Sequence, residues 1–474
     1  MRYLFRFFVF SVVLATQSFA FQTFDLVIRG GRVINPETKL DTVLNIGITK
    51  GVIETLSNDS LSGKKVIDAS GLIVSPGFID ILSYDPDAIG AWNKIADGVT
   101  TNLAMHGGTA QPKKWYAYYE RKKVPLNYGA SFFYTEARNK LISSRYKSAD
   151  SVQIQKLTLI AEQALKEGAL GISFSLEYIP GVSSAEIIPL MHLAHLYRVP
   201  VFFHARYSDT LTPGTNRDAL NELTEYARET GAAVHIEHIS STGGTFSMKE
   251  SLSMLKAARS QGLDITACVY PYNYWGTYLN SARFDAGWQK RFGISYGDLQ
   301  LGGSSERLTD STFKKYQKQG KLVVAYAIPE QDVVDALSSP FVMIGSDAIL
   351  QWGYNNHPRA SGTFSRTIAL YVREKKTLSL MDAIAKMTIL PSQRMEMASS
   401  AFKKKGRISS GVDADITIFD YNKISDRSTV EHPELMSSGV EYVIINGQIV
   451  KDPKGLKKNV HAGKSIRGDN TITQ

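Results

Sequence analysis

The sequence predicts an α/β protein, a TIM-like (β/α)8 barrel with a small β-sandwich domain formed from both termini. Eight apolar, strand-like segments alternate with helical patterns through the middle of the chain. Both ends of the chain consist instead of short strands and turns. No glycine-rich phosphate loop follows an early strand, which argues against the alternative, an open doubly wound sheet.

The length of 474 residues suits a large barrel with an accessory domain. A hydrophobic content of 43% and a charged content of 21% are typical of an ordinary globular protein. We expect a signal peptide at 1–20, the N-terminal part of the β-sandwich at 21–75, the barrel at 76–400, and the C-terminal part of the sandwich with a tail at 401–474.

The first 20 residues have the parts of a secretory signal peptide. "MRYLFR" supplies two arginines, "FFVFSVVLA" an apolar core, and Ser18 and Ala20 a small-x-small cleavage site. The alternative, an anchor helix, is disfavoured because the apolar run is shorter than the roughly 20 residues that a span needs. We therefore expect cleavage after Ala20, a periplasmic or secreted protein, and no stable membrane insertion after cleavage.

Charge and cysteine content narrow the possible partners. Removal of Arg2 and Arg6 with the signal peptide lowers the formal net charge from +9 to +7. The basic residues are scattered apart from a cluster between Lys451 and Arg467, and they do not interleave with aromatics, so we expect no nucleic-acid binding. The single cysteine, Cys268, excludes an intrachain disulfide and lies in an apolar segment typical of a buried core.

The predicted barrel strands follow one another at regular intervals. In chain order they are "GFIDIL", "VTTNLA", "LNYGASFF", "ALGISF", "VPVFF", "AAVHIE", "DITACV" and "FVMIG". Helical patterns precede the later strands, with helices expected over 216–229, 249–260 and 330–338 and another ending near Tyr197.

Hairpin signals mark the two ends of the chain. The pairs Gly30-Gly31 and Lys50-Gly51 fit turns between N-terminal strands, and Asn446-Gly447 fits a turn in the C-terminal part. Two β-rich ends that bracket an α/β middle predict one small β-domain built from both termini.

Polar residues follow four of the predicted strands. His106 follows the second strand, His204 and Arg206 the fifth, His238 the sixth and Asp347 the eighth. The active site of a parallel barrel lies at the C-terminal ends of its strands, so we expect these side chains to converge. Imidazoles and a carboxylate suit zinc or a similar divalent ion, with a nearby carboxylate to accept a proton from water.

Other histidine and serine arrangements have simpler interpretations. His235 lies deeper in the sixth strand and is expected to be structural. His192 and His195 fall on a predicted helix between the fourth and fifth strands. No serine lies in a G-x-S-x-G elbow, which argues against Ser-His-Asp catalysis.

Motifs along most of the chain resemble those of the amidohydrolase superfamily, and above all those of the N-acyl-D-amino-acid deacylases, or D-aminoacylases. They are "FDLVIRGGRVI", "VIDASGLIVSPGFID", "DGVTT", "EGALGIS", "HPRASGTFSRTIALYVRE", "AIAKMTILPSQRM", "GRISSGVDADITIFD" and "VEYVIINGQIV". The resemblance runs from about residue 24 to 468. It implies a metal-dependent barrel with a β-sandwich from both termini, and hydrolysis of an N-acyl amide.

The resemblance also implies roles for individual residues. His204 and His238 match the metal-binding histidines of the fifth and sixth strands, and Asp347 matches the general base and proton shuttle. Tyr270 matches a tyrosine near the substrate. Arg359 matches an arginine that pairs with the substrate carboxylate, a task suited to a bidentate guanidinium.

The sequence departs from the family pattern on one side of the site. Leu82 and Tyr84 stand where the family has the two histidines of its first strand. His106 lies in the neighbourhood of a cysteine or carboxylate ligand, and Ser240 replaces a common lysine. No lysine follows the fourth strand, although Glu177 could contribute a carboxylate. We therefore expect one divalent metal, zinc by preference, rather than two.

Two functional hypotheses follow. The first is a metal-dependent hydrolase of N-acyl-D-amino acids or related amides, with His106, His204 and His238 as ligands of one metal ion and Asp347 as the base. The second is a catalytically degenerate protein that binds acyl-amino acids or muropeptides through Arg359, Arg206 and Tyr270 without turnover. Asp85 and Asp87 are loop carboxylates to which the sequence assigns no role.

Overall fold

The computed structural model describes residues 23–469 of the protein. The predicted signal peptide, 1–20, lies outside these residues. Within them, no helix combines the length and apolar character needed to cross a membrane.

The described residues form strands in three groups along the chain. The N-terminal strands are β1 (Thr23–Phe24), β2 (Leu26–Asn35), β3 (Leu40–Thr49), β4 (Val52–Ser57), β5 (Ser62–Gly63), β6 (Val66–Asp68) and β7 (Ile73–Pro76). The central strands are β8 (Phe78–Asp80), β9 (Val99–Thr109), β10 (Asn127–Phe133), β11 (Ile172–Ser175), β12 (Val201–His204), β13 (Val234–Ile236), β14 (Ile265–Val269), β15 (Trp275–Tyr278), β16 (Leu299–Leu301), β17 (Leu322–Ala325) and β18 (Val342–Ile344). The C-terminal strands are β19 (Ile416–Phe419), β20 (Val440–Ile445), β21 (Gln448–Asp452) and β22 (Gly455–Leu456).

Helices fill the intervals between the central strands and continue after them. They are α1 (Ala88–Ala96), α2 (Pro112–Lys122), α3 (Tyr134–Asn139), α4 (Ser151–Lys166), α5 (Ser184–Leu196), α6 (Asn216–Thr230), α7 (Met248–Ser260), α8 (Trp288–Phe292), α9 (Asp310–Lys318), α10 (Glu330–Ser338), α11 (Arg359–Arg366), α12 (Leu380–Met387) and α13 (Ile389–Met395). The helices predicted before the fifth, sixth, seventh and eighth strands are confirmed as α5, α6, α7 and α10, within a residue or two at each end.

Eight parallel strands form the barrel in the order β8-β9-β10-β11-β12-β13-β14-β18. This confirms the predicted fold class and all eight predicted strands. The strands read as continuous apolar runs because the barrel interior and the outer helices bury both of their faces. The first strand is shorter than predicted, since it ends at Asp80 rather than Leu82.

The two edge strands, β8 and β18, meet through loop and side-chain contacts at their C-terminal ends. The backbone N–H of Asp347 donates to the carbonyl of Leu82 at 2.7 Å. The N–H of Ser346 donates to the Asp80 carboxylate at 2.9 Å, and the Ser83 hydroxyl donates to the Ala348 carbonyl at 3.1 Å. The barrel therefore closes next to Asp347, a residue of the predicted active site.

A buried ion pair strengthens this junction. Lys94 of α1 places its Nζ 2.7 Å from Asp80 Oδ2, and both side chains are at most 1% exposed. Nζ also donates to the Ser346 hydroxyl at 2.6 Å, and that hydroxyl donates to Asp80 Oδ2 at 2.6 Å. Each buried charge thus has hydrogen-bonding partners, as a buried ion pair requires. The pair couples α1, β8 and the end of β18.

Both termini build the β-domain. A nine-stranded sheet contains β22-β21-β20-β19-β7-β2-β3-β4, with β6 paired to β2. The two halves of the chain join where β7 pairs antiparallel with β19, in the register Pro76–Ile416. Apolar side chains from both halves, such as Ile28, Ile46 and Ile418, form a core separate from that of the barrel.

Two of the three predicted hairpin turns are confirmed. Lys50-Gly51 connects β3 to β4 and Asn446-Gly447 connects β20 to β21, all four with positive φ. The prediction for Gly30-Gly31 is wrong, because this pair lies inside β2 at an irregularity in its pairing with β3. A Cβ at Gly31 would lie 2.4 Å from a methyl carbon of Val74, so close packing rather than a turn explains the glycine there.

A small antiparallel sheet, absent from the predicted elements, lies between the seventh and eighth barrel strands in the chain. It has the order β15-β17-β16 and lies next to α8 and α9 in the chain. Its strands have only three or four residues, too few for a clear alternating pattern. The sheet contributes to the candidate site, because Gly276, Thr277 and Tyr278 of β15 line the wall of the cavity described below.

The buried ion pair yields a stability test. Lys94→Met leaves the Asp80 carboxylate buried without its cation, and we expect a loss of about 3 kcal/mol in the free energy of unfolding. The matched control is Lys314→Met, which breaks an exposed pair with Asp310 and should leave the unfolding midpoint unchanged. Urea denaturation of both variants measures the difference. Equal midpoints for the two variants would contradict the role of the buried pair.

Candidate metal centre and cavity

A cavity of about 520 Å³ lies at the C-terminal ends of the barrel strands. Tyr84, His106, Asp347 and Arg359 line its barrel side, and Tyr178 lies beside them. This is the face at which parallel barrels carry their active sites.

Four potential metal ligands converge next to the cavity. One ligand atom from each of His106, His204, Glu237 and His238 lies within 4.8 Å of every other, and all four residues are buried. In the described part of the chain this is the one group of three or more such residues at that spacing. The structure thus brings together the three histidines predicted as ligands and adds Glu237.

The inner nitrogens of two histidines face each other. His204 Nδ1 lies 3.1 Å from His238 Nε2. On their outer sides, His204 Nε2 lies 2.9 Å from a Glu177 oxygen, and His238 Nδ1 lies 3.1 Å from the Ser241 hydroxyl oxygen. The Ser241 hydroxyl donates to the His238 carbonyl, so its oxygen accepts from Nδ1–H. These partners assign both ring protons to the outer nitrogens and direct two lone pairs inward.

This arrangement fits a cation. Two lone pairs 3.1 Å apart repel each other unless a positive charge lies between them. A proton is disfavoured there, because burial holds the pKa of His204 and of His238 well below the usual range, with further lowering of the His204 pKa by the charge of His106. Neutral imidazoles with outer hydrogen-bond partners are the usual ligands of zinc.

The other two members of the cluster contact each other. His106 Nδ1 lies against one oxygen of Glu237, while the second oxygen of Glu237 is buried with no hydrogen-bond partner among the described residues. Burial raises the pKa of Glu237 to about 7, against the lowering effect of His106. Burial lowers the pKa of His106, but the charges of Glu237 and Asp347 outweigh it and raise the value to about 9. A divalent ion would satisfy the unpartnered carboxylate oxygen.

A local backbone turn brings Glu237 and His238 to the same side. Successive side chains of a strand point to opposite faces, but β13 ends at residue 236 and His238 adopts a positive φ of 25°. The turn is held by the N–H of Glu237 on the Phe203 carbonyl and by the N–H of His238 on Cys268 Sγ. Sequence reasoning missed Glu237, although it shares a strand face with His235 and that alternation could have identified it.

Glu177 supports the cluster from outside. One carboxylate oxygen contacts His204 Nε2 and lies 3.1 Å from Arg283 Nη1, and the other accepts from the Ser208 hydroxyl at 2.5 Å. All of these side chains are buried. Glu177 therefore orients the ring of His204, a role that carboxylates commonly have beside metal-bound histidines.

Asp347 lies between the cluster and Arg359. Its Oδ2 is 2.9 Å from Arg359 Nη2 and 3.6 Å from His238 Nε2, and its Oδ1 is 3.8 Å from His106 Nε2. Burial raises the pKa of Asp347, but Arg359 and the two histidines outweigh burial and lower it below the usual value. The group is therefore a carboxylate at neutral pH. Its φ of 52° follows from the tight junction with Leu82.

Arg359 has N–H donors that are not used by other residues of the described structure. It is buried and lines the cavity, and its Nη2 also donates to the Gly276 carbonyl at 3.2 Å. Its Nε and Nη1 have no partner among residues 23–469. Tyr270 does not line the cavity; its ring lies 4.6 Å from the guanidinium carbon of Arg359, which it supports by a cation–π contact. Unpartnered buried N–H groups beside a cavity fit a carboxylate ligand.

The structure corrects the prediction that Arg206 binds substrate. Its guanidinium pairs with Glu222 of α6 at 2.7 Å and donates to the Pro180 carbonyl, and the residue does not line the cavity. The carboxylate on the outer helix layer holds this cation away from the site. His235 is structural as predicted, with Nδ1 2.9 Å from the Thr266 hydroxyl.

Residues 82 and 84, after the first barrel strand, supply neither an imidazole nor a carboxylate as a metal donor. Leu82 is fully buried and packs against Gly345, where an added Cβ would lie 2.8 Å from the Leu82 Cβ. Tyr84 lines the cavity with its ring 5.3 Å from that of His106. Asp85 accepts from Trp115 Nε1 at 2.8 Å, and burial raises its pKa to about 6. Asp87 precedes α1. These two carboxylates do not line the cavity.

The donor cluster yields a test of metal binding. We expect the purified protein to carry zinc and His238→Ala to lose most of it, because the variant removes one of the two facing nitrogens. His432→Ala, on the exposed surface, is the matched control and should retain the metal. Elemental analysis after dialysis measures the content. Equal metal content in the two variants would contradict the assignment.

Glu177 can be tested separately from the ligands. Glu177→Gln keeps the size of the side chain but removes the charge that orients His204, and we expect about 10- to 100-fold weaker zinc affinity with binding retained at high zinc. Glu225→Gln, at an exposed position on α6, is the control and should not change affinity. Competition with a zinc indicator measures both. An unchanged affinity in Glu177→Gln would show that Glu177 does not position the ligand.

Comparison with known proteins agrees with this geometry. A model of the Amidohydrolase family matches residues 320–451. The chain is 26% identical over 466 residues to an N-acyl-D-glutamate deacylase of Alcaligenes xylosoxydans xylosoxydans, covering 89% of this chain and 93% of the relative. It is 27% identical over 490 residues to a D-aminoacylase of the same organism, covering 94% and 98%.

A solved structure extends the likeness to the whole fold. The N-acyl-D-glutamate deacylase of Bordetella bronchiseptica, complexed with zinc and a phosphonate inhibitor, superimposes with a TM-score of 0.82 at 24% identity, covering 94% of this chain and 100% of that one. This likeness concerns the fold. The family model and the two relatives, together with the fold, support the amidohydrolase superfamily for this chain, with the D-aminoacylases among its relatives.

Proposed function

We propose that the protein hydrolyses the amide bond of N-acyl-D-amino acids with a single divalent metal ion, by preference zinc. The observation that carries the proposal is the position of Asp347, an ionised carboxylate that lies between the facing histidine nitrogens and the spare donors of Arg359. Support for the D configuration comes from the two deacylase relatives.

His204 Nδ1 and His238 Nε2 would hold the metal, with His106 and Glu237 as the further donors of the cluster. A metal at this place polarises the amide carbonyl and acidifies a water molecule. Glu177 and Ser241 keep the two outer ring nitrogens protonated, so the inner nitrogens stay available as ligands.

Asp347 would act as the general base and then as the general acid. Its carboxylate accepts a proton from the water that attacks the amide carbon, and a bond forms between that carbon and the water oxygen. The proton then passes from Asp347 to the amide nitrogen, and the C–N bond breaks. The products are a carboxylic acid and the free amino acid. The lowered pKa of Asp347 favours the carboxylate form that starts this sequence.

Arg359 would bind the α-carboxylate of the substrate. Its Nε and Nη1 are free to donate, while Nη2 remains on Asp347 at 2.9 Å. A carboxylate on the free donors of Arg359 brings the neighbouring amide towards the Asp347 oxygens, because the same guanidinium contacts both. The ring of Tyr270 prevents the guanidinium from swinging away from the cavity.

A single metal is supported by the residues beside His106. Leu82 offers no donor atom, and the Tyr84 hydroxyl already lies 3.4 Å from Asp347 Oδ1. No second group of three or more donors occurs in the described chain. Export to the periplasm or beyond is a further part of the proposal and is supported by the sequence of residues 1–20.

The role of Asp347 can be tested by substitution. We expect Asp347→Asn to lower kcat for N-acyl-D-amino acids by about 100-fold or more, because the amide cannot accept the proton, while zinc content is retained. Asp335→Asn, on the outer helix α10, is the control and should keep full activity. Hydrolysis of a panel of N-acetyl-D- and N-acetyl-L-amino acids by zinc-loaded protein measures the rates.

Two outcomes would contradict the proposal. Retained activity in Asp347→Asn would exclude this residue as the base. A zinc-loaded parent protein that hydrolyses no member of the panel, yet is stabilised by the ligands equally with and without chelator, would indicate the alternative, a binding protein without turnover.

A further inference from the structure

A second arginine, Arg145, lines the cavity on the loop between α3 and α4. Its side chain is partly buried, and its Nη1 donates to the Asn280 carbonyl at 3.2 Å. No carboxylate lies within ion-pair distance of its guanidinium among the described residues. A partly desolvated guanidinium that has only a carbonyl partner retains most of its capacity to bind an anion.

The loop holds Arg145 in a defined position. Its carbonyl accepts from the N–H of Gly181 at 2.8 Å, and a Cβ at Gly181 would lie 2.4 Å from the backbone of Tyr146. The Tyr146 hydroxyl donates to the Asp285 carboxylate at 2.8 Å, so that carboxylate is engaged with a neighbour of Arg145. The backbone of the loop is therefore anchored on both sides of the cavity rim. Because its backbone is fixed, the arginine favours ligands whose anionic group lies within reach of the guanidinium.

The charges of the cavity wall leave Arg145 unbalanced. Asp347 is the one carboxylate among the described lining residues, and Arg359 already pairs with it. Around Arg145 the lining is polar but neutral, with Asn139, Ser143 and other side chains of that kind. Arg145 is therefore a cationic lining residue without an ion-pair partner among the described residues, and this favours a negatively charged group of the ligand beside it.

We propose that Arg145 binds a carboxylate on the side chain of the substrate, so that the preferred substrates are N-acyl-D-amino acids with an acidic side chain. This inference rests on the proposed function. Two guanidinium groups line the same cavity, so a ligand with two carboxylates can place its α-carboxylate on Arg359 and its side-chain carboxylate on Arg145. A neutral side chain leaves Arg145 without its partner.

The test compares an acid with its amide of equal size. The quantity to measure is kcat/KM of the zinc-loaded protein for N-acetyl-D-glutamate and N-acetyl-D-glutamine. The same comparison is made for the shorter pair, N-acetyl-D-aspartate and N-acetyl-D-asparagine. We expect the parent protein to prefer the acid in at least one pair by about tenfold or more, since a charge-assisted hydrogen bond is lost with the amide. Arg145→Gln should abolish this preference by lowering kcat/KM for the acid and not for the amide.

The control is Arg121→Gln, which removes the same charge from an exposed position of α2 outside the cavity and should keep the preference. Equal rates for acid and amide in the parent protein, for both pairs, would overturn the inference. An equal loss for acid and amide in Arg145→Gln would overturn it as well.

Binding separates this inference from the proposed hydrolysis. Calorimetric titration of the Asp347→Asn variant with the same ligands gives the acid-to-amide ratio of Kd without turnover, with and without Arg145→Gln. If the parent protein hydrolyses nothing and the Kd ratio still depends on Arg145, the hydrolysis fails and the carboxylate site stands. If hydrolysis proceeds and neither ratio depends on Arg145, the hydrolysis stands and the carboxylate site fails. Absence of hydrolysis by the parent protein together with absence of binding by the variant overturns both.

Discussion

Two imidazole nitrogens that face each other at 3.1 Å set the main constraint on this molecule. Glu177 and Ser241 commit the ring protons of His204 and His238 to the outer side, and burial disfavours a further proton between the rings. Such an arrangement is unfavourable unless a cation compensates it, so the folded state of the barrel and the binding of a metal are linked. The proposed chemistry, including the role of Asp347, depends on this pair.

The closure of the barrel positions Asp347, the proposed general base. The first and last barrel strands meet through Asp80, Lys94 and Ser346 rather than through a long ladder, and the next residue, Asp347, is fixed by its N–H on the Leu82 carbonyl. Leu82 therefore has a structural use, because its carbonyl fixes the backbone of Asp347. The strand end that supplies no imidazole at residues 82 and 84 thus positions the proposed base of the proposed single-metal site.

Much of the fold could be predicted from the sequence, because buried parallel strands give apolar runs and helices between them give regular patterns. The convergence of His106, His204 and His238 also followed, since the C-terminal ends of parallel strands share one rim. Glu237 is missing from the predicted ligands, although strand alternation places it on the same face as His235. The positive φ of His238, which brings this side chain to the same side as Glu237, and the ion pair that holds Arg206 against α6 have no local sequence pattern. Of the partners of the outer ring nitrogens, Ser241 lies three residues after His238, whereas Glu177 comes from the end of a different strand.

The most direct measurement is the position and number of metal ions in a crystal of the zinc-loaded protein, located by anomalous scattering at the zinc absorption edge. The account predicts one full peak between His204 Nδ1 and His238 Nε2, within reach of His106 and Glu237. Absence of a peak there would contradict the metal centre. A second full peak on the side of Leu82 and Tyr84 would contradict the single-metal mechanism.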